Sequence, residues 1–107
     1  MVLIMSITRF PVSKAKEVSE RFIEVAKKYP PDRSLEKVIV RLAARIIDDE
    51  IESIGITEVK EGKYEEVIKR ATEQQLLYRD IEGMKFRVET FFSGVEAMPM
   101  IGLKMPE

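Results

Sequence analysis

Four polar side chains fall on helix faces that should bury apolar residues, and they are the first candidates for a ligand pocket: Tyr29, Tyr64, Tyr78 and Gln75. A phenol acts as a catalytic acid only when its surroundings shift its pKa, and a helix tyrosine more often packs its ring and exposes its hydroxyl. The inward amide of Gln75 has three interpretations. It can contact a ligand, it can bond to backbone at the end of the core, or a phase slip after Ala71 can turn Leu76 inward instead.

A second candidate site is a group of charged residues that should share one face of a sheet: Arg41, Arg45, Glu52 and Glu58. A buried charge must be paired, because an unpaired one costs several kcal/mol. We therefore expect a structural ion-pair network, and the alternative is an anion site in which the arginines bind a ligand carboxylate. The adjacent acids Asp48, Asp49 and Glu50 lack the spacing of a calcium loop, so we expect a solvated turn and no metal site.

The residue types that are missing exclude more chemistry than the residues present suggest. The 107 residues include no Cys, His, Trp or Asn. This excludes disulfides, thiolate nucleophiles, imidazole bases, zinc–sulfur sites and histidine-ligated haem, and with them Ser-His-Asp and Cys-His catalysis. We expect no cofactor, and the sequence names no catalytic residue. The combination of 15 Glu and 10 Lys with no Asn or Cys is also a pattern of hyperthermophile proteins.

Charge and hydropathy limit the classes of partner that we expect the protein to bind. The net charge is −1, from 18 basic and 19 acidic residues without a long run of either sign, so we expect no nucleic-acid partner. No apolar run is long enough to cross a bilayer, so we expect no membrane association. The opening MVLIMSITRFP lacks a basic leader and a small-residue cleavage site, which predicts a strand and a cytoplasmic location. The length predicts one domain over residues 1–107.

The elements that position the candidates follow from periodicity. Residues 2–9 are apolar almost throughout, as in a strand buried on both faces. Ser13 is the expected N-cap of a helix that runs to Tyr29, and a second helix runs from Tyr64 to Tyr78 with Leu76 and Leu77 outside its buried stripe. Residues 84–92 alternate as a strand. We expect the apolar tail from about 94 to be extended, and we expect Leu76 and Leu77 to be covered by a partner chain or by four tail residues: Met98, Met100, Ile101 and Leu103.

Residues 37–60 are ambiguous between a helix and a hairpin. Charges recur every three or four residues, as on the wet face of a helix over 37–52, yet the many β-branched residues favour strands. We predict strands near 37–47 and 51–60 that meet at a two-residue turn, Asp48-Asp49. This register places three pairs of residues opposite one another: Arg45 with Glu52, Arg41 with Ile56 and Ile39 with Glu58.

Three stretches carry a resemblance to the dimeric α+β barrel superfamily: VLIMSITRFP, GITEVKEGKYEEVIKRA and EAMPMIGL. The resemblance implies a ferredoxin-like βαββαβ fold with an antiparallel sheet. It also implies a homodimer or higher oligomer in which two sheets pack face to face, with a pocket between helices and sheet. The chain has no histidine, so it departs from members that use one for haem or catalysis. The dimer carries over and their activity does not.

Two functions therefore remain open. The first is a non-catalytic dimeric binding or assembly module. The alternative is a cofactor-independent enzyme, monooxygenase- or isomerase-like, that acts on a small apolar organic molecule between helices and sheet. A stand-alone ligand sensor is a third interpretation, although no DNA-binding helix accompanies it. A packed interior would favour the first function, and a deep pocket that reaches Gln75 or a tyrosine would favour the second.

Overall fold

A computed structural model describes residues 1–106, and it shows an α+β fold with one four-stranded antiparallel sheet. The strands are β1 (Val2–Pro11), β2 (Glu36–Ile47), β3 (Glu50–Val59) and β4 (Lys85–Phe92), and the helices are α1 (Ala15–Lys28), α2 (Tyr64–Leu76) and the short α3 (Gly94–Ala97). The strand order is β2-β3-β1-β4, and each neighbouring pair is antiparallel. The predicted α+β class and order of elements are confirmed. None of the helices described within residues 1–106 has the length and apolarity needed to cross a membrane.

The two long helices lie on one face of the sheet, and the buried core there is split in two. Ile4 of β1 packs with Val59 and Val67 at one end, and Phe10 of β1 packs with Val18 and Ile81 at the other. The other face of the sheet, which we call the open face, carries the odd-numbered residues of β1 and their neighbours. It is apolar at its centre: Leu3, Met5, Ile7, Ile54, Ile56 and Phe91. The first strand therefore has apolar residues on both faces, as its sequence predicts.

The hairpin over residues 36–59 is confirmed, and the alternative of one helix over 37–52 is wrong. Ile47 pairs with Glu50 across a turn in which Asp48 has φ of 56°, a left-handed conformation that aspartate tolerates better than most residues. Arg45 lies opposite Glu52, and Arg45 Nε donates to Glu52 Oε1 over 2.9 Å. The predicted pair of side chains at this end of the hairpin is therefore present.

Farther from the turn the predicted register of the hairpin is wrong. Ile56 lies opposite Val40 rather than Arg41, and Glu58 lies opposite Lys37 rather than Ile39. Two register shifts cause the difference, one between Val38 and Val40 and one between Val40 and Ala43. Extra residues on the longer strand bulge out of the ladder, and strict alternation then fails. A bulged edge strand is also a poor template for pairing with another chain, so the bulges protect this edge of the sheet from edge-to-edge aggregation.

Three smaller expectations also need correction. Ser13 lies inside a 3₁₀ turn (Val12–Lys14) and does not cap α1, because the chain turns directly out of β1 before the helix begins. The tail is not extended, since it forms α3 and a second 3₁₀ turn, Met98–Ile101. Ser93 caps α3 by accepting a hydrogen bond from the Glu96 amide over 3.4 Å.

The tail also fails to cover the two leucines. Leu76 is 43% exposed, and the tail residues Met100, Ile101 and Leu103 are exposed as well. Leu103 N donates to Met98 O, so the tail turns back on itself and its apolar groups do not lie on α2. Leu77 is partly buried within the chain. Coverage of Leu76 by a partner chain stays a prediction.

Two arginines form hydrogen bonds that link the region of α1 to the region of α2, one near each end of the helix pair. Arg21 donates to both carboxylate oxygens of Asp80, over 2.7 and 3.0 Å, and to the Leu77 carbonyl. Arg70 of α2 donates to the Pro30 carbonyl just after α1, and its guanidinium lies 5.5 Å from the centre of the Tyr29 ring. We call these contacts the two arginine straps. A bidentate arginine–carboxylate pair fixes orientation as well as distance, so the straps set how α1 lies over the sheet.

We predict that Arg21→Met lowers the melting temperature at neutral pH and that the difference from the wild type narrows in acid, where only the loss of the hydrogen bond to the Leu77 carbonyl remains. The hydrogen bond from Arg21 holds the pKa of the Asp80 carboxyl down at about 2, against an ordinary value of 3.8. A depressed carboxyl pKa stabilises the fold above pH 3.8 and stops doing so as the pH falls through about 2. Thermal melts of both proteins across this range measure the difference, with Arg33→Met as an exposed-arginine control. A pH-independent difference would show that the ion pair is not the cause.

Candidate ligand-binding site

A cavity of about 560 Å³ lies between the two core clusters, bounded by the sheet below and by α1 and α2 above. Its volume is typical of pockets that bind small molecules, which run from roughly 300 to 1,000 Å³. The interior of the domain is therefore not fully packed on the helix side. The question is which residues keep it open and which groups they present to it.

Small side chains in the middle of the two inner strands form the floor of the cavity. Along the helix-facing side, β1 reads Ile4, Ser6, Thr8, Phe10, and β3 reads Ile51, Ser53, Gly55, Thr57, Val59. In the sheet, Thr8 lies opposite Ser53 and Ser6 lies opposite Gly55. Bulky residues thus stand at both ends, where the core clusters form, and small ones stand between them. The void follows directly from this arrangement, because close packing needs large side chains at the centre.

These floor residues are not among the site candidates drawn from the sequence, although a signal was present. Both strands carry small or hydroxyl-bearing residues at alternate positions that a helix layer should bury, flanked by large apolar ones. When the two segments are assessed for strand propensity alone, their many β-branched and apolar residues conceal this pattern of small side chains.

The cavity opens between α1 and the edge strand β2. Ile23 of α1 and Leu42 of β2 both line it, yet they are 55% and 53% exposed. The bulges of β2 shape this side, because they bring the Arg41 carbonyl to 3.3 Å from the point where a side chain on Gly55 would begin. An alanine at Gly55 would press on that carbonyl, so the glycine lets the edge strand close over the floor.

Gln75 lines the cavity and is only 7% exposed. Its Nε2 donates to the Arg87 carbonyl of β4 over 2.9 Å, which is the bond to backbone that was one of its three interpretations. The phase slip that would turn Leu76 inward did not occur, because Gln75 is buried and Leu76 is exposed. Among residues 1–106, Gln75 Oε1 accepts no hydrogen bond, so this oxygen is free to accept one from a bound molecule.

The structure brings two of the three candidate tyrosines to the cavity. Tyr78 lines it, and burial raises the pKa of its phenol to about 12 against a smaller opposing effect of Arg21. Tyr29 lines the opposite end beneath the Arg70 guanidinium. Tyr64 does not belong to the site, since it is 41% exposed and its hydroxyl bonds to Thr90 Oγ1 over 2.8 Å. Tyr64 is the first residue of α2, so its ring lies beyond the part of the helix that is buried against the sheet.

Among residues 1–106, the only carboxyl on the cavity wall belongs to Glu36, at the start of β2. Burial raises the pKa of this carboxyl, and the nearby charge of Arg70 lowers it by a smaller amount. Arg70 also lines the cavity, and its Nε is buried without an acceptor among the described residues. Neither residue of this pair was a candidate from sequence, because Glu36 precedes the strand predicted near 37–47 and Arg70 lies about 34 residues farther along the chain.

The four charged candidates do not form one site. Glu52 and Glu58 lie on the open face and Arg45 pairs with Glu52, but Arg41 stands in the bulged stretch and contributes to the cavity wall. Other residues form the larger ion-pair group on the open face. Glu50 accepts from Arg9 over 2.8 Å and lies 3.4 Å from Lys85 Nζ. These contacts tie together β1, β3 and β4 at the hairpin end of the sheet.

We predict that Gln75→Leu lowers the free energy of unfolding by about 1 to 2 kcal/mol, because the Arg87 carbonyl loses its donor inside the protein. Urea denaturation measures the change, and Gln74→Leu serves as a control on the preceding, partly exposed glutamine. A neutral or stabilising Gln75→Leu would show that the carbonyl is satisfied without the amide.

Comparisons with known proteins concern the fold. No protein-family model matches the chain. No curated protein matches it in sequence. The de novo designed protein Foldit4 is similar in structure, with a TM-score of 0.53 at 18% identity over 86% of this chain and 97% of that one. A second designed protein, Ferredog-Diesel, aligns with a TM-score of 0.48 at 20% identity, over 83% of this chain and 84% of its own. A Thermotoga maritima protein named "putative thiamine biosynthesis/salvage protein" aligns with a TM-score of 0.40 at 14% identity, over 87% of this chain and 85% of its own. The likeness to Foldit4 supports the α+β fold and says nothing about function.

Proposed function

We propose that the protein binds a small, largely apolar molecule in the cavity between its helices and sheet, and that it does so without catalysis. The observation that carries this proposal is the cavity itself, which small residues keep open between two well-packed core clusters. Large apolar residues in the floor would close the void and stabilise the fold. Small residues there are costly for stability, and a site for a ligand explains them.

The cavity has few groups that could perform acid–base chemistry. Tyr78 stays protonated at neutral pH because the pKa of its phenol is raised to about 12, so it can donate a hydrogen bond but cannot act as a base. Gln75 does not titrate, and serine and threonine hydroxyls need an activating base to become nucleophiles. This supports the binding module over the enzyme, although a deep pocket that reaches Gln75 and a tyrosine was expected to favour the enzyme.

One observation keeps the cofactor-independent enzyme as a second candidate. The Glu36 carboxyl lines the cavity, and its pKa is raised by burial, as expected for a general acid or base. Protein purified from its own host separates the two candidates. A bound molecule recovered unchanged after incubation supports binding. A product that accumulates with the wild type and not with Glu36→Gln supports the enzyme.

We further propose that the chain forms a homodimer of the dimeric α+β barrel type, in which the open faces of two ferredoxin-like sheets pack together. Leu3, Met5, Ile54 and Ile56 are only partly buried on this face, and Phe91 is 44% exposed. The surrounding ion pairs, such as Arg9 with Glu50 and Arg45 with Glu52, form a polar rim around an apolar centre. Apolar centres with polar rims are usual for protein–protein interfaces.

Naphthalene is a suitable probe of the cavity, because it is apolar and rigid. We predict saturable binding to the wild type, with shifted amide signals in the middle of β1 and β3. Ser53→Leu fills the floor and should weaken the affinity by at least about tenfold while the melting temperature stays or rises. Thr90→Leu, on the same sheet face outside the cavity, should leave the affinity unchanged. Absence of saturable binding, or equal affinity for Ser53→Leu, would overturn the proposed function.

Sedimentation velocity tests the dimer. The wild type should sediment as a dimer at micromolar concentration, since interfaces of this kind commonly bury more than about 2,000 Å². Ile56→Glu should dissociate it by placing a charge at the centre of the open face. Leu76→Glu on α2 should leave this dimer intact, because packing of the open faces does not cover Leu76; a partner over Leu76, as expected from the sequence, is the competing outcome. A monomeric wild type contradicts the dimer, and dissociation by Leu76→Glu alone would place the interface on α2 instead.

A further inference from the structure

Three hydroxyl groups in the floor of the cavity form no hydrogen bond with the rest of the described chain. Ser6, Thr8 and Ser53 line the cavity, and among residues 1–106 none of their side chains forms a hydrogen bond. The hydroxyls of Thr57 and Thr72 behave differently, since they donate to the Lys37 and Ile68 carbonyls. All three side chains are partly buried, so a bound molecule that shields them from water must offer them hydrogen-bonding groups.

The three hydroxyls form a compact group because of the register of the sheet. Thr8 and Ser53 lie directly opposite each other, which places their Cβ atoms about 4.5 to 5.5 Å apart. Ser6 is two residues along β1 on the same face, about 7 Å from Thr8. One rigid molecule lying along the strands can reach all three.

A fourth polar group independently indicates a ligand. Gln75 is 93% buried, being only 7% exposed, and its Nε2 is held by the Arg87 carbonyl. This bond fixes the orientation of the amide and leaves Oε1 as an acceptor without a donor among the described residues. A carbonyl oxygen can be satisfied only by an N–H or O–H group. The complementary ligand must therefore carry at least one donor.

The two helices above the floor differ in character. Helix α1 contributes mainly apolar side chains, with Ser19 as the polar exception: Ala15, Val18, Phe22, Ile23, Val25 and Ala26. Helix α2 contributes Ala71 and three polar side chains: Arg70, Gln74 and Gln75. The cavity is thus apolar toward α1 and has polar groups on the strand floor and on α2. A molecule that is apolar all round would leave the floor hydroxyls unpaired, and one that is polar all round would lose its hydration against α1.

We infer that the ligand is a rigid amphipathic molecule that lies between the floor and the helices, with its apolar side toward α1. Toward the floor hydroxyls and Gln75 it carries two or more hydrogen-bonding groups, at least one of them an O–H or N–H donor. This inference rests on the proposed function, because it describes the occupant of the same cavity.

Naphthalene and a naphthalenediol with one hydroxyl on each ring, both on the same edge, test the inference, because they share one apolar skeleton. Titration of both probes into the wild type and into Ser6→Ala/Thr8→Val/Ser53→Ala gives a thermodynamic cycle that cancels their different hydrophobicity. The ratio of naphthalene Kd to diol Kd should fall by at least about tenfold in the variant, as expected for the loss of two hydrogen bonds. The naphthalene Kd should stay the same or fall, because the floor of the variant has no hydroxyl for an apolar ring to desolvate.

Thr90→Val is the matched control, because it removes a hydroxyl from the same sheet face outside the cavity, and it should preserve the ratio. If both probes bind and the ratio does not change in the triple variant, the inference is wrong while the proposed function stands. If neither probe binds, the proposed function itself fails.

The wild type alone provides a second measurement in case the triple variant does not fold. Proton contacts measured by NMR should place the hydroxyl-bearing edge of the diol near the Thr8 methyl group and its apolar face near Phe22. The reverse orientation would overturn the inference.

Discussion

The central constraint in this protein is the set of small residues at the middle of the helix-facing sheet surface. Ile4 and Phe10 anchor core clusters at either end of β1, and between them Ser6 and Thr8 contribute little volume. Helices above such a surface can pack tightly only at the two ends. The cavity is the consequence. A close-packed interior would have required large apolar residues at these positions.

A helix that rests on two ends of a sheet needs other contacts to hold its position. The arginine straps supply them, since Arg21 binds Asp80 at one end and Arg70 contacts Pro30 and Tyr29 at the other. The pair at Asp80 is polar and largely exposed, so it orients α1 more than it stabilises the core. Arg70 has a double role, because it also lies on the cavity wall beside Glu36. The same side chain thus fixes the helix and sets the charge at one end of the site.

Each face of the sheet carries one of the two proposed functions. The helix side holds the cavity for a small molecule, and the open side holds the apolar centre and charged rim proposed for the dimer. Strand alternation makes this possible, because neighbouring residues of one strand serve opposite faces. Ser6 can face a ligand while Ile7 beside it lies at the centre of the open face. A dimer formed in this way would leave the mouth of the cavity between α1 and β2 accessible.

The sequence by itself determined the elements, their order and the excluded chemistry. Helical and alternating periodicity are local properties, so α1, α2, the hairpin turn and the Arg45–Glu52 pair could be predicted from spacing alone. The lack of Cys and His excluded whole classes of catalysis without any structure. Only the tertiary structure decided the bulges of β2, the partners of Gln75, the exposure of Tyr64 and Leu76 and the gathering of Glu36, Arg70 and the floor hydroxyls. All of these features depend on which distant segments of the chain meet in the fold. The cavity in particular arises because several elements contribute small side chains to the same place, and no single stretch of sequence shows this.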